Sequence, residues 1–400
     1  FFSKNLLLIL AFLIVFLVGW QVGYAGFQLN LRLNPPGFEV VNKAPPSGVL
    51  DFSLMWEVIE RINEDFLFEP VEAEKLLYGA ISGLVGALGD PYTSFLNPEQ
   101  NEAFTQSLEG IYEGIGAELG IRQGQLIIVA PLSGSPAEGE GVRAGDKILK
   151  IEGVSTAGVS ISEAVSKIRG TAGTKIILTF QRGDGPEFEV AITRARITVK
   201  SVLSEAKGEG LFYLEVSRFG NSTNGEWDAV VREVRNQGSE IRGIVLDLRN
   251  NPGGFLSAAV YLASEFLAKG TVVIQEDARG GKQVISVQQT KNGHAFAEVP
   301  VVVLINAGSA SASEILAAAL QERGGARLVG EQSFGKGTVQ DAVDFEDGSG
   351  LHLTVTKWLT PSGRWVHEGG LAPDFAIELT EEDGNAGRDP QLDKAFDLLR

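Results

Sequence analysis

The run 242–248, RGIVLDL, constrains the fold most, because a strand without polar alternation has to be buried on both faces. It ends in Arg249-Asn250-Asn251-Pro252-Gly253-Gly254, after which 255–267 reads as a helix. Upstream, 210–217 reads as a strand and 225–236 as a helix; downstream, 271–275, 283–287, 300–305, 327–330 and 351–359 read as strands. Strands alternating with helices in this way predict a layered β/α core.

Before residue 199 the texture is different. Over 52–66 and 73–88, apolar residues such as Phe52, Met55, Trp56, Ile59 and Ile62 recur at helical spacing, which predicts amphipathic helices. Asp90-Pro91 closes the second, since a residue before proline avoids the helical region. Asn97-Pro98 opens a third that runs to about 108, with Asn97 as its cap and Pro98 in the first helical position. No catalytic constellation shows in these helices, so packing or contact between copies is their expected role. Short strands and glycine turns follow over 109–196, with a helix over 162–168 and a strand pair at 175–181 and 187–194.

At the start of the chain, Lys4 precedes the apolar run 6–20, and small residues stand at Gly23 and Ala25. A basic start, a hydrophobic stretch and a cleavage-like site are the layout of an export signal, either cleaved or kept as a membrane anchor. The stretch 33–48, with Pro35-Pro36 and Pro45-Pro46, reads as an extended linker. At the other end, 380–389 reads as a loose polar tail and 390–400 as a short closing helix.

Composition excludes several chemistries. With 34 basic against 51 acidic residues, a net charge of −17, duplex nucleic acid is not an expected partner. The chain has no cysteine, which removes disulfides, thiolate nucleophiles and cysteine-bound zinc together. His294, His352 and His367 are widely spaced and form no metal-binding pattern, so neither a metal nor a cofactor is expected.

What remains is serine and lysine chemistry within 302–340. Ser309, Ser311 and Ser313 alternate between a buried strand and the start of a helix, where unpaired backbone N–H groups and a partial positive charge suit an oxyanion. A serine hydroxyl needs a base, and without a histidine nearby in sequence a desolvated lysine can serve, because burial lowers its pKa. Lys336, framed by Gly335 and Gly337, is the candidate. Ser309 and Ser313 read more plainly as turn and helix-start residues, Glu314 as a helix-dipole carboxylate, Glu322 as a supporting side chain, and the histidines as surface or packing residues. The segment 330–337 nearly spells a phosphate loop, but Gly337 stands where Ser or Thr is required and a strand follows instead of a helix.

Two resemblances follow from these residues. GVRAGDKILKIEGV, 141–154, resembles a PDZ domain, and Gly114-Ile115-Gly116-Ala117 falls where that family keeps its carboxylate-binding loop. Glycines there let successive N–H groups converge on a terminal carboxylate, and a strand edge accepts the peptide. GSASASEILAAAL, 308–320, with LVGEQSFGKGTVQ, 328–340, resembles the carboxyl-terminal processing peptidases, also called tail-specific proteases. That resemblance implies Ser311 as nucleophile, Lys336 as base and Gln340 as the residue that orients the lysine. It also implies an oxyanion hole from the N–H of Ala312 and of Gly253 or Gly254, with Gly253 favoured.

Together these readings give a mixed α/β, multidomain protein. A signal or anchor covers 1–27, a linker 28–50, a helical region 51–108, an inserted PDZ domain 109–196, a crotonase-like β/α peptidase core 197–379, and a tail with its helix 380–400. The function implied is that of a serine endopeptidase of the cell envelope, periplasmic or extracytoplasmic, which takes protein or peptide substrates with accessible C-termini. The N-terminal apolar segment would meet the membrane, and a homo-oligomer is left open. The alternatives are an inactive PDZ adaptor on the same scaffold and an acyl-CoA enzyme on the same core. Arg169 is a candidate contact between the PDZ domain and the catalytic region.

Overall fold

The computed structural model describes residues 12–21, 27–33, 36–42, 52–68, 70–122, 124–132, 134–159, 161–237 and 240–400. It separates into two units, Phe1–Leu76 and Leu77–Arg400.

In the first unit, α1 (12–21) is a short exposed helix, and no helix of the described residues is long and apolar enough to cross a membrane. The start of the apolar run, Gly23 and Ala25, and 43–51 lie outside the described residues. Where a linker was expected, β1 (Phe27–Leu33) and β2 (Pro36–Asn42) pair antiparallel. The reason is legible afterwards: Phe27, Leu29, Leu31 and Leu33 alternate with polar residues, a strand pattern that the flanking prolines masked. In α2 (Ser53–Asp65) no residue is buried.

After α3 (Ala73–Gly86), a loop leads to β3 (Ser94–Leu96) and α4 (Pro98–Glu109). The α4 cap forms as its sequence predicts, with the Asn97 side chain accepting from the Gln100 N–H at 2.9 Å and the Gln100 side chain accepting from the Asn97 N–H at 3.1 Å. Next, β4 (Ile111–Gly114) pairs antiparallel with β11 (Ala195–Thr198), so the chain enters and leaves the intervening module side by side. That module has a sheet of order β10-β9-β7-β6-β5, where β5 is Ala117–Arg122, β6 Gln125–Pro131, β7 Lys147–Ile151, β9 Lys175–Gln181 and β10 Glu187–Thr193; β8 (Val154–Ser155) pairs with β7. Leu126, Ile128, Ile148, Ile176, Leu178 and Phe180 form its core with residues of α5 (Pro136–Gly139) and α6 (Ile161–Ile168).

The main sheet has the order β12-β13-β14-β17-β18-β21, built from Val202–Gly208, Leu211–Val216, Gly243–Asp247, Val301–Ile305, Arg327–Gly330 and Phe375–Ala376. All its pairings are parallel except β12 with β13. Alternate residues of one strand face opposite layers. Ile244, Leu246, Val303 and Ile305 join the core with α7 (Thr223–Asn236), α8 (Leu256–Phe266) and α9 (Ala312–Gly324), while Val245, Val302 and Leu304 meet Ala395 and Phe396 of α11 (Pro390–Asp397). This is why RGIVLDL has no polar face. A second sheet, β16-β15-β20-β19, comprises Lys282–Ser286, Thr271–Asp277, Gly350–Leu359 and Thr338–Asp344, and β3 joins it through β20. The tail expected to be loose holds α10 (Glu381–Ala386).

Candidate active site

Between β17 and α9 the chain reverses tightly, and Ser311 sits at the apex with φ 54° and ψ −113°. That region is hostile to a residue with a Cβ, by about 1–3 kcal/mol, so the surroundings must impose it. The neighbouring serines do so. Ser309 Oγ donates to the Leu248 carbonyl at 2.8 Å and accepts from the Asn306 N–H at 3.0 Å, while Ser313 Oγ donates to the Asn251 carbonyl at 2.9 Å. Both are buried and tie the turn to the loop after β14, leaving Ser311 half-buried at its tip.

Glu314 occupies the first turn of α9 and is fully buried. Its Oε2 accepts from the N–H of Ser311 at 2.8 Å and of Lys336 at 3.0 Å, and its Oε1 from the N–H of Gly335 at 2.7 Å and from Ser333 Oγ at 2.6 Å. One carboxylate therefore sets the spacing between the backbones of Ser311 and Lys336. Burial pushes its pKa up, and these four hydrogen bonds oppose that shift. More than a helix-dipole charge, Glu314 is the hub that the sequence reading missed; a glutamate among alanines on a buried helix was the available signal.

The glycines around Lys336 have a further reason. A Cβ on Gly337 would lie 2.7 Å from His367 Cβ and from Trp365 Nε1, and one on Gly335 2.9 Å from the Gly370 nitrogen. They admit the 365–370 segment, which with Trp358 holds the lysine backbone: Trp358 Nε1 donates to the Lys336 carbonyl and Trp365 Nε1 to the Gly337 carbonyl, each at 2.8 Å.

The Lys336 side chain makes no ion pair or hydrogen bond among the described residues; its Nζ lies 5.3 Å from the centre of the Tyr92 ring. Burial pulls its pKa down, and the Asp90 carboxylate opposes this. The contact implied for Gln340 is not made: its Nε2 donates to Thr338 Oγ1 at 3.0 Å and to Thr354 Oγ1 at 3.1 Å. The helical region, expected to pack or to contact another copy, also delivers Asp90 and Tyr92 to the lysine. Of the histidines, His367 stacks on Trp365 at 4.8 Å, His352 meets Phe104 at 4.4 Å, and His294 Nδ1 lies 2.5 Å from the Ser264 carbonyl oxygen.

Facing Ser311 is the Asn251–Gly254 turn. Gly253, at φ 100°, is pressed so close that a Cβ would sit 2.9 Å from Ser311 Cβ and 3.1 Å from the Ala312 nitrogen. Its own N–H is engaged by Asn251 Oδ1 at 2.9 Å. Among the described residues the N–H groups of Ala312 and Gly254 carry no acceptor.

In the inserted module, the carbonyls of Ile115 and Gly116 are taken by the N–H groups of Ala137 and Leu132, each at 2.9 Å, while the N–H groups of Ile115 and Gly116 have no acceptor among the described residues. With Gly114, Ala117, Leu119 and Val165 they line a cavity of about 170 Å³ against α6. Arg169 closes one end with its guanidinium 4.9 Å over the Tyr112 ring; it meets the module's own tyrosine and not the catalytic turn.

A model of Peptidase family S41 matches residues 210–377, which contain both Ser311 and Lys336, and a PDZ domain model matches 127–182. The chain is 41% identical over 363 residues to carboxy-terminal processing protease CtpB of Bacillus subtilis strain 168, covering 89% of this chain and 74% of that protein. It is 37% identical over 340 residues to CtpA of the same organism, covering 85% and 72%. In fold it is similar to a protein from Bacteroides fragilis assigned to the S41 proteases, with a TM-score of 0.57 at 16% identity over 89% of this chain and 99% of that one. The chain thus belongs to the carboxy-terminal processing proteases, serine-type endopeptidases of peptidase family S41 that carry a PDZ domain.

Proposed function

We propose that Ser311 is the nucleophile of this protease and Lys336 its base. The observation that carries the assignment is the Glu314 carboxylate, which accepts from the backbone of both residues and so holds them as one unit. Ser311 Oγ attacks the scissile carbonyl while its proton passes to Lys336 Nζ, and the N–H groups of Ala312 and Gly254 receive the oxyanion. Lys336 then protonates the leaving amine, and as a free base again it activates the water that hydrolyses the acyl-enzyme. Gln340 acts indirectly, through the Thr354 hydroxyl, which bonds the Asp90 carboxylate near Lys336.

The domain limits that fit this reading are 51–108 for the helical region, 109–196 for the PDZ domain and 197–379 for the peptidase core. Protein C-termini enter the groove between β5 and α6, where the N–H groups of Ile115 and Gly116 receive the terminal carboxylate. The segment 6–20 directs export and meets the membrane, which places the reaction outside the cytoplasm. Nothing favours the inactive adaptor.

Turnover of a peptide ending in a free C-terminal tail tests the dyad. Ser311→Ala and Lys336→Ala should each lower kcat by at least about 10³-fold without shifting thermal unfolding downward. Activity above a tenth of wild type in either would refute the pair. As Lys336 is neutral when it works, kcat/KM should fall as pH drops through its lowered pKa.

A further inference from the structure

The loop after α3 reaches the base from outside the peptidase core. In it the Asp90 carboxylate accepts from the Tyr92 N–H at 3.1 Å and from Thr93 Oγ1 at 2.6 Å, a tight turn that projects the tyrosine. Thr93 Oγ1 accepts from the Thr354 N–H at 3.0 Å, and β3 pairs with β20 over Ser94 to Leu96, so the turn is bolted to the sheet that also holds Lys336. The Tyr92 ring then lies 5.3 Å from Lys336 Nζ, inside the roughly 6 Å reach of a cation–π contact. His367 meets the ring edge-on at 6.1 Å and is itself stacked on Trp365, which fixes the ring plane.

We propose that Tyr92 is a positioning residue for the base: its ring face seats the Lys336 side chain and stabilises the positive charge that arrives with the Ser311 proton. This rests on the assignment of Lys336 as base. The proton leaves Ser311 Oγ as the new C–O bond forms and later departs with the leaving amine, so Tyr92 exchanges no proton. Its hydroxyl stays neutral, because burial and the carboxylates of Glu314, Asp90 and Glu368 push its pKa up. The charged and titratable groups gathered about Lys336 and the ring are Asp90 on the same loop, Glu314 on α9, His352 on β20, and His367 with Glu368 on the 365–370 segment. Among the described residues none of them makes an ion pair or hydrogen bond with the ammonium.

The test is the pH profile of kcat/KM for wild type, Tyr92→Phe, Tyr92→Leu and Tyr92→Ala in the full chain, with Lys336→Ala alongside. Tyr92→Phe keeps the ring face and should stay within about twofold of wild type with the same acid limb. Tyr92→Leu keeps the apolar cover without the π face, so plateau kcat should fall roughly fivefold at unchanged KM and the acid limb move down by about half a pH unit. Tyr92→Ala lets water reach the lysine, so its acid limb should move up. Identical profiles for Tyr92→Leu and Tyr92→Phe, or limbs that move the same way in Tyr92→Leu and Tyr92→Ala, would overturn the proposal. An active Lys336→Ala removes the base assignment itself; an inactive Lys336→Ala with a wild-type Tyr92→Leu profile removes only the role of Tyr92.

Discussion

Glu314 shows how much of the site depends on one atom pair. Its two oxygens receive three backbone N–H groups and one hydroxyl, all drawn from residues 311 and 333–336. In Glu314→Gln one oxygen becomes an NH₂ that confronts donors with a donor, leaving buried N–H groups unpaired. Steady-state kinetics should show kcat down by about 10²–10³-fold with little change in KM; a raised KM at unchanged kcat would assign the residue to substrate binding instead. The patterns that single out Ser311 and Lys336 as candidates are local, a serine repeat after a strand and a lysine between glycines, and so could be read from the sequence. Glu314 was not, since nothing local reveals that the Ser333–Lys336 turn folds back onto it. Tyr92 was further out of reach, because its contact with Lys336 joins a loop and a turn on opposite sides of the PDZ insertion.

At the scale of elements, the loop after β14 is clamped from α11. Arg249, just before the Asn251–Gly254 turn, pairs with Asp247 at 2.6 Å and with Asp389, the cap of α11, at 2.9 Å. Asp389→Ala leaves Asp247 in place and opens a partly exposed pair, so the loss should be about 1–2 kcal/mol, seen as a thermal midpoint lower by several degrees. An unchanged midpoint would mean that Asp247 alone satisfies the arginine. Four strands of the main sheet were legible because burial on both faces leaves apolar runs in them, as in β14 and β17, whereas the edge strand β12, with Ser204, Glu205 and Lys207, was not. The β1–β2 hairpin was hidden by its prolines. The lysine's surroundings were unreadable for a different reason: β20 gathers β3, β15 and β19 around it, and such pairings are fixed by register across the sheet and not by local sequence.

For the whole molecule, the inserted module and the peptidase core are joined by a two-stranded ribbon of backbone. The β4–β11 ribbon carries the PDZ module, and its base meets the core where the Arg218 guanidinium packs over Gly110 and donates to the Val199 carbonyl. The next residue, Phe219, accepts from the Phe255 N–H at 2.7 Å and donates to the Gly253 carbonyl at 2.9 Å. On the proposed reading, tail binding belongs to the groove between β5 and α6. Leu119→Glu puts a like charge into the groove that is to hold a tail, and should weaken a free-tail peptide at least tenfold in fluorescence anisotropy while the same peptide with an amidated end responds less. Equal losses for both peptides would argue that the groove does not read the carboxylate. The position of β20 and α11 in the chain has one more consequence. A polypeptide still on the ribosome holds its serine and its lysine well before Gly350–Leu359 and Asp389 have been made. Until those arrive the lysine lacks the Trp358 hydrogen bond to its carbonyl and Arg249 has only Asp247, so the contacts that complete the site are the last part of it to be made.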